Sequence, residues 1–458
     1  MLAALVWSGA ALAAAPQQLT IAASDGVKLA CSLVEPDGAA PAGGRPAVML
    51  FHGLGGRHQD VEPLGVQYLA PAGYASLECD ARGTGGSGGQ FGLEGPRDVQ
   101  DTRGLFDWLA ARPDISDTQI GAVGISLGGG AVWNAAAAGV PFKAIVPATA
   151  WTDLAAALAP HGLPKSGLAL YLAQLVPQAR WQPDLLALGA GLAQGQSPAG
   201  LATLAAARSA RSKLSSLTVP TLLIQGRHDF FFDLDQALEA YRLLKGPKRL
   251  YLGDVGHAPA ANPPAEAGVY LGEALKWLDR YLKGTPNGIE KKPPVELAHD
   301  PWDSRTTAYK SLPPTKVAAV ALPGTSPLKP GGNVVRRARL TGGPHETFGD
   351  SSVTVAFSGA QNWDRLVAVL TATIRGKQVV VSAGGIRLSG AQGTARIPLL
   401  DEAVRIPAGT RLVVSVGATS LGQPSGNPLY AADVPAGASI TIGRETLRLS
   451  VLKRAVSR

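Results

Sequence analysis

Between Pro46 and about Gly284, short apolar runs alternate with longer segments whose apolar residues recur at helical spacing. Strands covered on both faces read as unbroken apolar runs, so this alternation predicts an α/β domain built on a mostly parallel sheet. The runs place strands at 47–51, 74–80, 119–125, 142–148, 221–225 and 249–252. Helices are predicted at 98–111, 127–138, 234–244 and 265–282. The last carries Val269, Leu271, Ala274, Leu275, Trp277, Leu278 and Leu282 as one broad apolar stripe. An earlier run at 27–34 follows the turn Ser24-Asp25-Gly26 and reads as a further strand.

The alternation stops between Trp151 and about Lys213. There, Ala- and Leu-rich helical segments are broken at Pro160, Pro164, Pro177, Pro183 and Pro198. The stretch is too long for one crossover and predicts a small helical cap over the C-terminal edge of the sheet. After Gly284 a segment with three prolines and a charge run ends at Pro294, and the composition shifts towards Val, Thr, Arg and Gly. Alternating runs at 352–357, 366–374, 378–381 and 411–416, separated by turn residues, predict an all-β sandwich or jelly roll. The expected organisation is a leader at 1–15, an α/β domain at 16–296 and a β domain at 297–458.

Composition narrows this picture. The chain has 458 residues, ample for two cores, and with 46% hydrophobic and 17% charged residues it is not a disordered chain. The net charge of +8 comes from scattered Lys and Arg with only short clusters, such as Lys291-Lys292 and Arg336-Arg337-Arg339. No basic stripe interleaved with aromatics occurs, so no nucleic-acid partner is expected. The first fifteen residues form an apolar run too short to span a bilayer, and Ala11-Leu12-Ala13 fits a small-x-small cleavage site. The expectation is a signal peptide and a secreted or periplasmic protein. Two cysteines, Cys31 and Cys79, leave few soft ligands for a metal.

The strongest chemical signal is Gly124-Ile125-Ser126-Leu127-Gly128, lying between a predicted strand and a predicted helix. A serine on a sharp strand-to-helix turn exposes its Oγ, and the turn needs small neighbours on both sides. Phe51-His52-Gly53-Leu54-Gly55-Gly56 follows another strand and can fold back towards that serine. The backbone N–H groups of Leu54 and Leu127 are therefore the expected oxyanion hole, with His52 bracing the loop. Asp229 falls just past the strand at 221–225, and His257 in the loop after the strand at 249–252. The order Ser126, Asp229, His257 is that of a nucleophile, acid and base on this kind of sheet. Asp233, Asp235 and Asp254 compete for the acid role but read more simply as helix-start or turn residues. The glycine-dense loop Asp80–Gly89 lacks a phosphate-binding ending and reads as structural, with Arg82 pairing to a local carboxylate. No cofactor is expected.

The Asp80–Gly89 loop, the elbow around Ser126, Asp229 and His257 together resemble the family that includes cocaine esterase and X-Pro dipeptidyl-peptidases. Asp25-Gly26-Val27-Lys28-Leu29 and the β-rich C-terminal half, opening at Pro301-Trp302-Asp303, look like that family too. The resemblance implies an α/β-hydrolase fold with a small helical cap and a galactose-binding-like C-terminal jelly roll, and it implies a serine hydrolase. It also implies that Cys31 and Cys79 lie on adjacent antiparallel strands, either as a disulfide or as two buried thiols. Family members often carry tyrosine where Leu54 and Leu127 stand here, and these departures bear on substrate class. With only Asp153 and Asp184 as acids in the presumed cap, little is available to grip a free amine. The expected function is therefore a carboxylesterase or acylase acting on a small acyl ester, amide or short peptide. The alternatives are an X-Pro dipeptidyl-peptidase, or an exported carbohydrate- or cell-wall-binding protein with a vestigial hydrolase half.

Overall fold

The computed structural model describes residues 15–176, 180–421 and 427–454. The leader expected at 1–15 lies outside them apart from Ala15, and so does Pro177. The N-terminal part runs β1 (Gln17–Ala22), β2 (Lys28–Val34), β3 (Arg45–Phe51), α1 (His58–Leu64), β4 (Ala75–Cys79), α2 (Pro96–Ala110), β5 (Ile115–Ile125), α3 (Leu127–Ala137) and β6 (Ile145–Ala148). The helical insertion follows as α4 (Leu154–Leu158), α5 (Ser166–Leu175), α6 (Pro183–Ala193) and α7 (Leu201–Ala206). Then come β7 (Thr221–Gly226), α8 (Leu234–Leu243), β8 (Lys248–Gly253), α9 (Pro264–Leu282), β9 (Val295–Ala298) and β10 (Thr306–Tyr309).

These strands form one ten-stranded sheet ordered β1-β2-β4-β3-β5-β6-β7-β8-β9-β10. From β4 to β9 neighbouring strands run parallel, as in β3 with β5 and β7 with β8. Side chains alternate across the sheet, as the pleat requires. Met49, Leu77 and Ala122 face Leu105, Phe106, Val132 and Leu238 of α2, α3 and α8. Val48, Leu50, Val146 and Ile224 face Trp277, Leu278 and Leu282 of α9. The winding direction reverses between β3 and β5, which opens a crevice at their carboxyl ends.

Cys31 and Cys79 are direct partners in the β2–β4 register and form a disulfide, with their Cα atoms 4.0 Å apart. The domain boundary expected after residue 296 needs correction. Strands β9 and β10 complete the sheet, so the proline-rich segment before them is a return to the sheet edge. Arg249 Nη1 holds that segment by donating to Pro293 O at 2.9 Å. The boundary moves past Tyr309.

Beyond it, two antiparallel sheets face each other. One orders Thr315–Leu322, Ser439–Leu452, Ser352–Gln361 and Gly393–Pro398; the other orders Asn333–Arg339, Arg411–Gly417, Arg365–Ile374 and Lys377–Arg387. Val353, Val355 and Leu449 of the first meet Leu366, Leu370 and Val414 of the second in one core. Each such side chain contributes roughly 1.5–3 kcal/mol on burial. The sandwich packs against the α/β part and its cap through Leu163, Leu168, Phe230, Val367, Leu400 and Tyr430.

Candidate active site

Ser126 sits between β5 and α3 with φ 57° and ψ −117°. A non-glycine residue held there costs about 1–3 kcal/mol, which the surrounding packing must offset. The turn is pinned by Ser126 N donating to Ala148 O at 2.9 Å and Gly130 N donating to Ser126 O at 3.1 Å. Only glycine fits on either side. A Cβ on Gly124 would lie 2.1 Å from Gly128 O, and one on Gly128 would lie 2.2 Å from Phe51 O. That close approach draws the start of α3 against the end of β3 and leaves the Ser126 hydroxyl at the crevice.

His257 stands in the loop after β8, with Nε2 2.8 Å from Ser126 Oγ and Nδ1 2.8 Å from Asp229 Oδ2. Asp229, in the turn after β7, has no solvent-exposed side-chain surface. Its Oδ2 also accepts the His257 backbone N–H at 3.1 Å, and its Oδ1 accepts Phe231 N at 2.9 Å and Phe232 N at 3.1 Å. Four donors converge on this carboxylate, so it acts as acceptor only. Nδ1 of His257 therefore carries the proton, and Nε2 is free to accept from Ser126. The Phe231 ring stacks on the imidazole with centroids 4.5 Å apart and planes 11° apart, while Phe232 meets it edge-on at 5.2 Å.

The residues weighed against these are placed otherwise. His52 Nδ1 bonds Gly53 O at 2.7 Å and its Nε2 accepts Ala81 N at 3.0 Å, so it braces the loop. Burial holds its pKa below the usual histidine value. Asp233 accepts Asp401 N at 3.2 Å, Asp254 accepts Ala261 N at 2.8 Å, and Asp235 lies in the first turn of α8. Arg82 pairs with Asp101 at 2.6 Å and Asp25 at 3.0 Å. Its neighbour Asp80 accepts His58 N and Nδ1 at 2.6 and 2.8 Å. Among the described residues nothing pairs with the buried Nε2 of His228, and desolvation takes this ring down to about 4.

Sequence reasoning missed the supports of the Asp229 turn. Arg227, fully buried, donates to Ala403 O at 2.8 Å and pairs with Glu346 across the two parts of the chain. Glu402 Oε2 accepts the Asp229 N–H at 3.1 Å, and Lys165 Nζ donates to Phe230 O and Phe231 O at 3.0 and 3.1 Å. Lys165, a charged residue among the apolar helical segments of the cap, was the available signal.

A sequence model of the X-Pro dipeptidyl-peptidase (S15) family matches residues 25–259, just over half the chain and including Ser126, Asp229 and His257. The chain belongs to this family. A Streptomyces avermitilis protein named as a candidate Xaa-Pro dipeptidyl-peptidase is 25% identical over 354 residues, covering 70% of this chain and 49% of that protein. An uncharacterized 31.7 kDa Escherichia coli protein from the traX-finO intergenic region is 34% identical over 109 residues, covering 24% of this chain and 38% of its own length. The chain thus spans about half or less of these curated relatives.

Among solved structures, an aminopeptidase from a marine sediment Thaumarchaeota archaeon superposes with a TM-score of 0.74 at 16% identity, covering 96% of each chain. A CocE/NonD family hydrolase from Staphylococcus aureus gives 0.70 at 15% identity, covering 95% of this chain and 93% of that one. An α-amino acid ester hydrolase gives 0.70 at 15% identity over 96% of both. At such identities the likeness concerns the fold: an α/β-hydrolase sheet with a cap and a C-terminal β-sandwich. That architecture matches the one read from the sequence pattern.

Proposed function

We propose that the protein is a serine hydrolase that cleaves ester or amide acyl bonds through an acyl-enzyme on Ser126, with a carboxylesterase or acylase preference. The observation that carries this reading is the continuous relay from Ser126 through His257 to Asp229. In the acylation step Ser126 Oγ attacks the substrate carbonyl while His257 Nε2 takes its proton. The resulting oxyanion is held by the N–H groups of Leu54 and Leu127, neither of which is spent on another hydrogen bond among the described residues. The imidazolium then protonates the leaving alcohol or amine, and a water deprotonated by His257 releases the acid.

The substrate preference rests on the walls and on the cap's acids. Leu127 belongs to an apolar cluster with Phe91, Trp151, Trp181 and Phe232, against which Leu54 and Phe231 are half-buried. Such walls suit a small apolar acyl group. Asp153 is occupied in capping α4 through Ala156 N at 3.1 Å, and Asp184 is exposed on the first turn of α6. Neither offers a ready anchor for a free amine. Family membership favours a second reading, an X-Pro dipeptidyl-peptidase. Turnover of p-nitrophenyl acetate set against Gly-Pro-p-nitroanilide separates the two. Cleavage of the anilide without the ester overturns the preference. A vestigial site is the weakest reading, because the relay is intact. Export is also part of this proposal, and the Cys31–Cys79 disulfide supports it, since such bonds persist in oxidising compartments. Among the described residues no helix is long and apolar enough to cross a membrane.

A further inference from the structure

The turn carrying Asp229 hangs between three parts of the molecule. Its own sheet supplies β7. The C-terminal sandwich supplies the Glu402 carboxyl, which takes the Asp229 N–H at 3.1 Å. The cap supplies the Lys165 ammonium, which holds the Phe230 and Phe231 carbonyls at 3.0 and 3.1 Å. Phe231 is the residue whose ring lies flat on His257. Two buried side chains from outside the sheet therefore grip the backbone on either side of the carboxylate and of the ring covering the imidazole.

Both are expensive to bury. Lys165 is 1% exposed and Glu402 is 2% exposed. Lys165 faces Asp229, Asp233 and Glu402 but lies within ion-pair distance of none among the described residues. Its hydrogen bonds go to carbonyls instead. Glu402 faces Asp229 and Asp233 from the acid turn and Lys165 from the cap, and burial pushes its carboxyl well above the usual range. Asp401 beside it faces Asp233, Asp235, Asp350 and Arg242, while His161 of the cap faces Asp233. A leucine or methionine in either place would avoid the desolvation cost. Stability alone does not explain these polar choices.

Each side chain is also held from behind. Ser166 Oγ accepts Ala431 N and Ala432 N at 2.9 Å each, and Gly167 N donates to Leu429 O at 3.0 Å, which docks the start of α5 on the sandwich. Leu234 N donates to Asp401 O at 3.0 Å and Ala403 N donates to Arg227 O at 2.8 Å, which fixes the segment carrying Glu402.

We infer that Lys165 and Glu402 are positioning residues for the Asp229–His257 pair, so that the cap and the C-terminal sandwich both set the geometry of catalysis. This rests on the serine-hydrolase reading above. The two act through the Asp229 turn and touch no substrate.

The test uses the full chain and p-nitrophenyl acetate, with kcat expressed per serine titrated by a fluorophosphonate so that unfolded material is not counted. Glu402→Gln keeps an acceptor oxygen for the Asp229 N–H and is expected to hold kcat within about twofold of wild type. Glu402→Met fills the same space without an acceptor and is expected to lower kcat about tenfold with little change in KM, because small misplacements of a catalytic group are costly. Lys165→Met removes the donor to the Phe230 and Phe231 carbonyls and is expected to lower kcat about tenfold with little change in KM. Wild-type kcat in both methionine variants overturns the inference, as does a Glu402→Gln variant as slow as Glu402→Met. Wild type and Ser126→Ala are run alongside. If wild-type turnover does not depend on Ser126, the functional reading fails and takes the inference with it. If turnover does depend on Ser126 and the variants are unaffected, only the inference fails.

Discussion

Asp229 Oδ2 receives two hydrogen bonds from His257, one from the ring at 2.8 Å and one from the backbone at 3.1 Å. The carboxylate thus orients both the loop and the imidazole, and it fixes which ring nitrogen faces Ser126. Replacing Asp229 by Asn would present an amide N–H to Nδ1 and favour the other tautomer, with its proton on Nε2. We predict that Asp229→Asn lowers kcat for an acyl ester by about a thousandfold or more while the protein stays folded. Steady-state kinetics beside a far-UV circular dichroism spectrum checks this.

A second prediction concerns Glu78, buried on β4, whose pKa desolvation raises from 4.5 to about 8. The folded state therefore keeps a proton that the unfolded chain releases above about pH 4.5, so stability falls as pH rises from there towards 8. The loss at pH 7 is about 3 kcal/mol. Glu78→Gln should match wild type near pH 4 and exceed it increasingly towards pH 8. Urea unfolding across this range reads the difference, and parallel curves for the two proteins would exclude it.

The Cys31–Cys79 bond closes a loop with a sequence separation of 48. Constraining the unfolded chain over that length stabilises the fold by about 3–4 kcal/mol. The Cys31→Ser, Cys79→Ser double variant should lose that much in urea unfolding under oxidising conditions, and dithiothreitol should weaken wild type but not the variant.

Arg227 and Glu346 form a fully buried pair that joins the acid turn to the sandwich. Removing one partner leaves a buried charge, so Arg227→Met should cost about 3–5 kcal/mol. Adding Glu346→Leu should recover part of that loss, and a double-mutant cycle by denaturation measures how much.

Much of this was legible in the sequence because it is local. The strands and helices of the hydrolase part follow from periodicity, and Ser126 follows from glycines packed within two residues of it. Asp229 and His257 follow from strand ends and chain order. The supports of the Asp229 turn were not legible. Glu402 meets Asp229 across 173 residues of sequence, and nothing near either residue marks the other. The boundary after residue 296 misled for a related reason: prolines and charges near 285–294 look like a linker, yet the chain there turns back to pair β9 with β8. The disulfide depended on the register of β2 and β4, which only the folded sheet fixes.

If Ser126 is a nucleophile activated by His257, a fluorophosphonate should phosphonylate its Oγ. Intact-mass measurement and peptide mapping after incubation with the probe read this out. Wild type is expected to carry one adduct per chain, on the Ser126 peptide, and Ser126→Ala none. Equal labelling of the two proteins, or an adduct on another residue, would show that Ser126 is not the nucleophile.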